Sequence, residues 1–132
     1  MEDHQEYGRY FYIHYTFIGG NCYPDNSPIH SKHKSLFTNL TLCHCHNITN
    51  VSALGTVHTL TLKYCFNITD VSALGSVHTL DLYYCPKLTD VSALGTVHTL
   101  TLSNCSNLND ISALGTVHTL TIKNCKNIPD TA

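Results

Sequence analysis

Apolar residues recur along most of this chain with a period of twenty residues. The ten residues 51–60, VSALGTVHTL, return with at most one conservative change at Val71, Val91 and Ile111. Within a copy the spacing is V-x-x-L-x-L-x-x-C-x-x-I, as in residues 57–68, and a further valine and leucine follow. A strict period of this length is typical of a solenoid, in which each copy forms one coil. The spacing predicts one short strand and one return segment per copy.

The same pattern extends upstream through a degenerate first copy, at Phe37, Leu40, Leu42 and Cys45. Over residues 36–130 it resembles the leucine-rich repeat family, whose pattern is L-x-x-L-x-L-x-x-N/C-x-L. The resemblance implies an α/β-type leucine-rich repeat solenoid of about five coils that is mostly β. One face would carry a parallel sheet, and the other would carry turns or single-turn return segments. Tandem V-H-T-L copies also look like arrays in proteins of large DNA viruses of protists, which implies a viral protein.

The first 35 residues lie outside the repeat and differ from it in composition. Residues 10–18 are aromatic and β-branched, and Gly19, Gly20 and Pro24 follow, so we expect a strand or hairpin here. Because a solenoid must cover the core of its first coil, we interpret residues 1–35 as an aromatic N-terminal cap. Residues 36–132 form the repeat array, whose last coil is expected to lack a cap. The alternatives for residues 1–35 are an arm that grips a partner or a second copy, and partial disorder.

Composition and charge argue against several classes of partner. The chain has 7 Lys and Arg against 9 Asp and Glu, a formal net charge of -2, so it lacks the basic stripe that binds a phosphate backbone. No apolar run approaches the roughly 20 residues that span a bilayer, and the N-terminus does not look like a signal peptide. We therefore expect a cytoplasmic protein, in host cytoplasm if it is viral, with neither nucleic acid nor membrane as partner.

Each buried or turn position of the repeat forms a row of identical or similar residues, with few exceptions. The cysteine row is Cys45, Cys65, Cys85, Cys105 and Cys125. We expect these to be small buried side chains whose thiols face carbonyl groups, because side chains in register project in parallel and disfavour disulfides between neighbours. The mixed set Cys22, His30, His33, Cys43, His44, Cys45 and His46 has a spacing that matches no familiar zinc module.

Three further rows are interpreted as scaffold. The aspartates Asp70, Asp90, Asp110 and Asp130, with Asn50 at the same phase, are expected to cap the following S-A-L-G turn, and a calcium row is the alternative. Gly55, Gly75, Gly95 and Gly115 are expected to supply the conformations of a tight return. Asn47, Asn67, Asn107 and Asn127 are expected to bond along the turns, with Lys87 as the exception.

A row of histidines, His58, His78, His98 and His118, lies on the outward strand face. We predict stacked neutral rings bonded to the hydroxyl of the threonine that follows each histidine, namely Thr59, Thr79, Thr99 and Thr119. A shared divalent metal is the alternative, although a regular row lacks the converging geometry of a dedicated site. Stacked imidazoles resist simultaneous protonation, so stability should fall as the pH falls through the histidine range.

Outward positions that differ between coils are where recognition is expected, and neutral drift of residues free of packing demands is the alternative. An aromatic patch with charged neighbours is predicted there, made of Lys63, Tyr64, Phe66, Asp81, Tyr83 and Tyr84. Tyrosine-rich patches with charged rims are typical of protein interfaces. We therefore predict a protein–protein interaction module that binds a protein or peptide through its strand face. The alternative is a structural protein that self-assembles, as a homo-oligomer, through the N-terminal segment or the uncapped last coil.

Catalysis is not expected. The sequence contains no G-x-S-x-G, no phosphate-binding glycine loop and no H-E-x-x-H. A nucleophile needs a base and an orienting group that converge on a pocket, whereas a repeating open sheet makes rows. We predict no enzyme activity, no catalytic residues, no metal and no cofactor.

Overall fold

The computed structural model of the chain describes residues 13–18, 37–46 and 48–128. Six strands form one parallel sheet in chain order. Their bounds are β1 (Ile13–Ile18), β2 (Phe37–Cys43), β3 (Thr59–Lys63), β4 (Thr79–Tyr83), β5 (Thr99–Ser103) and β6 (Thr119–Lys123). Short 3-10 segments return the chain to the sheet at Ser52–Leu54, Ser72–Ser76, Ser92–Thr96 and Ser112–Thr116. The predicted solenoid-like repeat fold, mostly β with short returns, is confirmed.

Neighbouring strands of the repeat array pair with a shift of one complete repeat. Leu60 of β3 lies beside Leu80 of β4, and Leu80 lies beside Leu100 of β5. Parallel strands lie about 4.8 Å apart, so each side chain meets its own counterpart at that spacing. Because strand side chains alternate between faces, this register stacks each inward leucine on a leucine, or on Ile122 in the last strand, and every outward residue on its equivalent.

The core is a continuous column of apolar side chains inside the coils. In β3, β4 and β5 the second and fourth residues are buried and the others are partly exposed. Leu62, Leu82 and Leu102 have no exposed surface. Burying a leucine stabilises a fold by about 1.5–3 kcal/mol, and here each coil repeats the contribution against its neighbour.

The cysteine row lies in this core, largely as predicted. Cys65, Cys85, Cys105 and Cys125 are free and buried, and the thiol of Cys65, for example, donates to the Leu42 carbonyl at 3.7 Å. Burial raises the pKa of Cys65 and of Cys105 to about 11. Cys45 is disulfide-bonded, so the expectation of a thiol is wrong for this first member. Since the other four are free, the row itself contains no bond between neighbours.

The returns begin at the predicted caps. The Ser72 N–H donates to Asp70 Oδ1 at 2.9 Å, and the same bond recurs from Ser92 to Asp90 and at Asn50 and Asp110. These N–H donors, with the serine hydroxyls, hold the pKa of the three aspartates below its usual range. The predicted capping role is confirmed for these residues, whereas Asp130 lies outside the described residues. The bonds also explain how a row of carboxylates is tolerated.

The asparagine row bonds along the turns as predicted. The Asn67 side-chain amide donates to the His46 carbonyl at 2.6 Å, and Asn107 and Asn127 make the equivalent bond to the preceding coil. Lys87, the exception in the row, donates instead to Asn67 Oδ1 at 2.9 Å. Asn47 lies outside the described residues. These bonds join coil to coil on the side where the strands end.

The glycine row is needed for a close approach between coils, not for a special conformation. Gly55 is right-handed, with φ -68°, and the other three glycines also lie outside the left-handed region. A Cβ on Gly55, Gly75 or Gly95 would lie 2.5, 2.7 and 2.6 Å from the carbonyl oxygen of Ala73, Ala93 and Ala113, respectively. The conformational expectation is therefore wrong, because the restriction comes from the next coil and is invisible within one repeat.

The first strand extends the sheet beyond the repeat. β1 pairs in parallel with β2, with a shift in register between Ile13 and His14. Residues 1–12 and 19–36 lie outside the described residues, so the capping role of the N-terminal segment stays a prediction. Among the residues that are described, no helix is long and apolar enough to cross a membrane.

The glycine row gives a prediction with an internal control. Gly95→Ala places a methyl group against the Ala113 carbonyl, and such overpacking should lower the free energy of unfolding by about 1–3 kcal/mol. In Gly115→Ala the new Cβ has no atom within 4 Å, so stability should stay unchanged or rise by up to about 1 kcal/mol. Urea unfolding measures both. An equal loss in the two variants would contradict the close-approach explanation.

Candidate functional site

Each of the last five strands is followed directly by a residue in the left-handed region. These residues are His44, Tyr64, Tyr84, Asn104 and Asn124, with φ between 54° and 59°. In the first four of them the backbone N–H donates to a carbonyl of the next coil, as from Tyr84 to Ser103 at 2.8 Å. Asparagine adopts this conformation readily, whereas a bulky residue such as tyrosine is unusual there. The chain therefore places tyrosine at two positions where asparagine satisfies the same turn.

The rings at the ends of the first strands of the repeat array form one aromatic cluster. Tyr64 lies 5.2 Å from Tyr83 and 5.4 Å from Tyr84, measured between ring centroids. Phe66 meets Tyr84 edge to face at 5.8 Å. The structure thus brings together the four aromatic residues that the sequence places in the candidate site. Tyr84 is 43% exposed, while the other three rings are partly buried.

Two histidines extend this cluster and were missed by the sequence prediction of the site. His44 stacks on Tyr64 with centroids 4.6 Å apart and planes 3° from parallel. His46 stacks on Phe66 at 4.5 Å, and its Nε2 is buried with no hydrogen-bond partner in the described part of the chain. Both occupy the phases of Tyr64 and Phe66 one repeat earlier. That shared phase was the signal available in the sequence.

The predicted charged neighbours lie beside the cluster. Lys63 pairs in register with Tyr83, and its positive charge acts to lower the pKa of Asp81 against the larger effect of burial. Burial raises the pKa of the Asp81 carboxyl above its usual value, and the nearby lysine limits that rise. Thr61 and Thr101 flank Asp81 in the sheet. A partly buried carboxylate thus replaces threonine in one coil only of β3 to β6, and its raised pKa means that the charged form is disfavoured by folding.

The histidine row has the stacked geometry that the sequence predicts. Ring centroids lie 4.6 Å apart from His58 to His78, 4.5 Å from His78 to His98 and 4.4 Å from His98 to His118. In each case Nδ1 lies 3.0 or 3.1 Å from the hydroxyl oxygen of the following threonine. The prediction of stacked, threonine-bonded rings is confirmed. Desolvation, then the charges of His118 and His78, lower the pKa of His98.

Metal coordination receives no geometric support in the described part of the chain. No group of three or more histidine, cysteine, aspartate or glutamate side chains comes together there in a way that could hold an ion. The stacked rings are 12° to 13° from parallel, and parallel rings do not converge on one ion as a tetrahedral site requires. Of the mixed cysteine and histidine set, Cys22, His30 and His33 lie outside the described residues.

An open groove continues from the aromatic cluster toward the last coil. Its volume is about 570 Å³, and its lining is Tyr84, Asn104, Ser106, Asn124, Cys125, Lys126 and Ile128. The groove follows the ends of β4, β5 and β6, so one wall is the row of left-handed residues. It changes from aromatic at Tyr84 to polar and basic at Lys126. This arrangement offers contact area and hydrogen-bonding groups.

The histidine row predicts how stability depends on pH. Because the folded state lowers the pKa of His98, the unfolded chain binds more protons in acid, and stability present above about pH 6.5 is lost below it. The melting temperature should therefore fall between about pH 7.5 and pH 5, and fall less in His98→Gln. His44→Gln, which removes a histidine outside the row, is the control. If the melting temperature of His98→Gln fell as far as that of the parent chain, the histidine row would not cause the pH dependence.

Comparison with known proteins adds no further assignment. No protein-family profile matches the chain, and no curated protein matches it. What the sequence and structure together show is a repeat protein built from strand-and-turn units of about twenty residues, stacked in one parallel sheet.

Proposed function

We propose that this chain is a leucine-rich repeat protein that serves as a protein–protein interaction module. Its binding surface is formed by Lys63, Tyr64, Phe66, Asp81, Tyr83 and Tyr84, and its partner is a protein or peptide. The observation that carries the proposal is the presence of tyrosine at left-handed positions where the fold accepts asparagine. We further propose that the module is not an enzyme, needs no cofactor and works in the cytoplasm, which would be host cytoplasm for a viral protein.

The tyrosines are not required by the fold. Asn104 and Asn124 adopt the same backbone conformation at the same phase, with φ 55° and 54°. A left-handed residue with a bulky side chain costs about 1–2 kcal/mol relative to the right-handed form. Contacts of the Tyr84 ring with Tyr64 and Phe66 offset this cost in part, yet 43% of Tyr84 stays exposed. Strain of this kind clusters at functional sites, so it supports a binding role for the ring.

A second unfavourable residue lies in the same coil. Asp81 carries a partly buried carboxylate where Thr61, Thr101 and Thr121 occupy the row in the other coils. Threonine is favoured in strands and aspartate is disfavoured, on a scale that spans about 1 kcal/mol. Two departures from the repeat in one coil, each with a local energetic cost, support the use of this coil for contact with a partner.

The chemistry of the surface suits a protein partner. Tyrosine supplies a large, rigid contact area with a hydroxyl for hydrogen bonding, and it is enriched among the residues that dominate binding energy. Lys63 and Asp81 give the rim charges of both signs, which favour a defined orientation of the partner. Open sheets with outward rows present an extended surface rather than an enclosed pocket, which fits a peptide segment or a protein face.

Substitution of Tyr84 separates binding from stability. Because asparagine adopts the left-handed conformation more readily than tyrosine, Tyr84→Asn should gain about 1 kcal/mol of folding free energy. The variant also loses the contacts of the Tyr84 ring, which contribute a similar free energy. The melting temperature should therefore stay near that of the parent. Tyr84→Ala loses the same ring contacts without that gain, so its melting temperature should be lower. Peptides are selected from a displayed library of random sequences for binding to the full chain. They should bind both variants at least about tenfold more weakly than the parent.

The matched control is His118→Asn, which changes the same strand face at the far end of the sheet and should leave affinity unchanged. If the library yields no peptide, or if selected peptides bind Tyr84→Asn as tightly as the parent, the proposed binding surface is wrong. Light scattering on the parent chain determines its mass, so a homo-oligomer would be recognised before the affinities are compared.

A further inference from the structure

Charges are separated between two edges of the described array. Its four lysines, Lys63, Lys87, Lys123 and Lys126, lie at strand ends or in the loops that directly follow them. Of its four aspartates, Asp70, Asp90 and Asp110 precede the 3-10 returns, and only Asp81 lies on a strand. The edge that carries the aromatic cluster is therefore basic, although the chain as a whole has a net charge of -2.

The lysines on this edge differ in their contacts and exposure. Lys87 is held by its bond to Asn67 Oδ1 at 2.9 Å. Lys126 lines the open groove that begins at Tyr84, and it is exposed. Lys123 ends β6 at the same side of the sheet and is exposed as well. The groove thus has an exposed aromatic ring at one end and two exposed ammonium groups near the other.

The repeat fixes the distance between these two ends. Tyr84 follows β4 and Lys126 follows β6, so two coil spacings separate them, about 10 Å at about 4.8 Å per strand. An extended peptide advances about 3.3 Å per residue. About three residues of such a peptide would therefore cover the groove, from a side chain seated against Tyr84 to one that meets the lysines.

We propose that the partner segment is an acidic, extended peptide laid along this groove, with an apolar or aromatic residue against Tyr84. Aspartate or glutamate about three residues away pairs with Lys123 and Lys126. The Asn104 side chain and the Ser106 hydroxyl, which line the groove between these ends, are placed to meet the peptide backbone. This inference rests on the proposed function, since the groove begins at Tyr84 of the proposed binding surface and the inference specifies the partner.

A single-stranded nucleic acid is the competing occupant, because it also combines flat rings with negative charge. Three observations favour the peptide. No arginine lies on this edge within the described residues. The lysines do not follow one another from coil to coil, whereas a phosphate chain needs a continuous basic track. Asp81 places a carboxylate near Lys63 at the aromatic end of the groove, where it would repel the phosphates of a nucleic acid but not the apolar residue of the peptide.

The test uses the peptides selected on the full chain and a charge-reversed form of it. The double variant Lys123→Glu and Lys126→Glu changes only exposed side chains, and Lys87→Glu is the matched control outside the groove. We expect the selected peptides to be enriched in acidic residues about three positions from an apolar one. They should bind the double variant about tenfold more weakly, with the difference shrinking as salt is added, and should bind Lys87→Glu nearly as well as the parent chain.

Each of the other outcomes overturns either this inference alone or the proposed function as well. Peptides that depend on Tyr84 but show no acidic enrichment and bind the double variant normally would overturn this inference and leave the proposed function intact. Absence of any Tyr84-dependent peptide would overturn both. Fluorescence anisotropy with an oligo-dT strand provides the competing arm. Tight binding of that strand, lost in the double variant, would assign the groove to nucleic acid instead of an acidic peptide.

Discussion

The whole structure depends on one constraint, which is that each residue of the array stacks on its own equivalent about 4.8 Å away. Any side chain chosen for a repeat must therefore be compatible with a copy of itself. Leucine satisfies this inside the coils, where Leu62 and Leu82 lie side by side without exposed surface. Asparagine satisfies it by an amide bond to the preceding coil, as at Asn67. Histidine satisfies it by stacking, as between His78 and His98 at 4.5 Å, provided that the rings are neutral.

Charged side chains are restricted most by this stacking, because like charges would lie side by side. Aspartate occurs as a row only where each carboxylate accepts the N–H of its own return, as Asp90 does from Ser92. Lysine never faces lysine in the sheet, since Lys63 lies beside Tyr83 and Lys123 beside Ser103. The variable outward positions are consequently where single charges and bulky rings can enter. Under the proposed function, recognition falls to residues that break the repeat, and the coil of β4 supplies Asp81, Tyr83 and Tyr84.

Much of the fold could be predicted from the sequence because apolar spacing and capping act within one repeat. The strands, the buried cysteines and the Asp70 cap all follow from neighbours a few residues apart. The glycine row was misinterpreted because its restriction comes from Ala73 and its equivalents in the next coil. In the candidate site, the contacts among Tyr64, Tyr83 and Tyr84 were anticipated. The left-handed backbone at Tyr64 and Tyr84 was not, since nothing local in the sequence demands it.

The most direct test of the stacking constraint is a charge placed beside Lys123. Ser103 is its register partner, so Ser103→Lys should be less stable to urea than Ser103→Glu, by up to about 1 kcal/mol at low salt. The difference should vanish when Lys123 is replaced by serine, because the pair then holds a single charge. A difference between Ser103→Lys and Ser103→Glu that persists without Lys123 would contradict the register, and with it the account of how this chain distributes its charges.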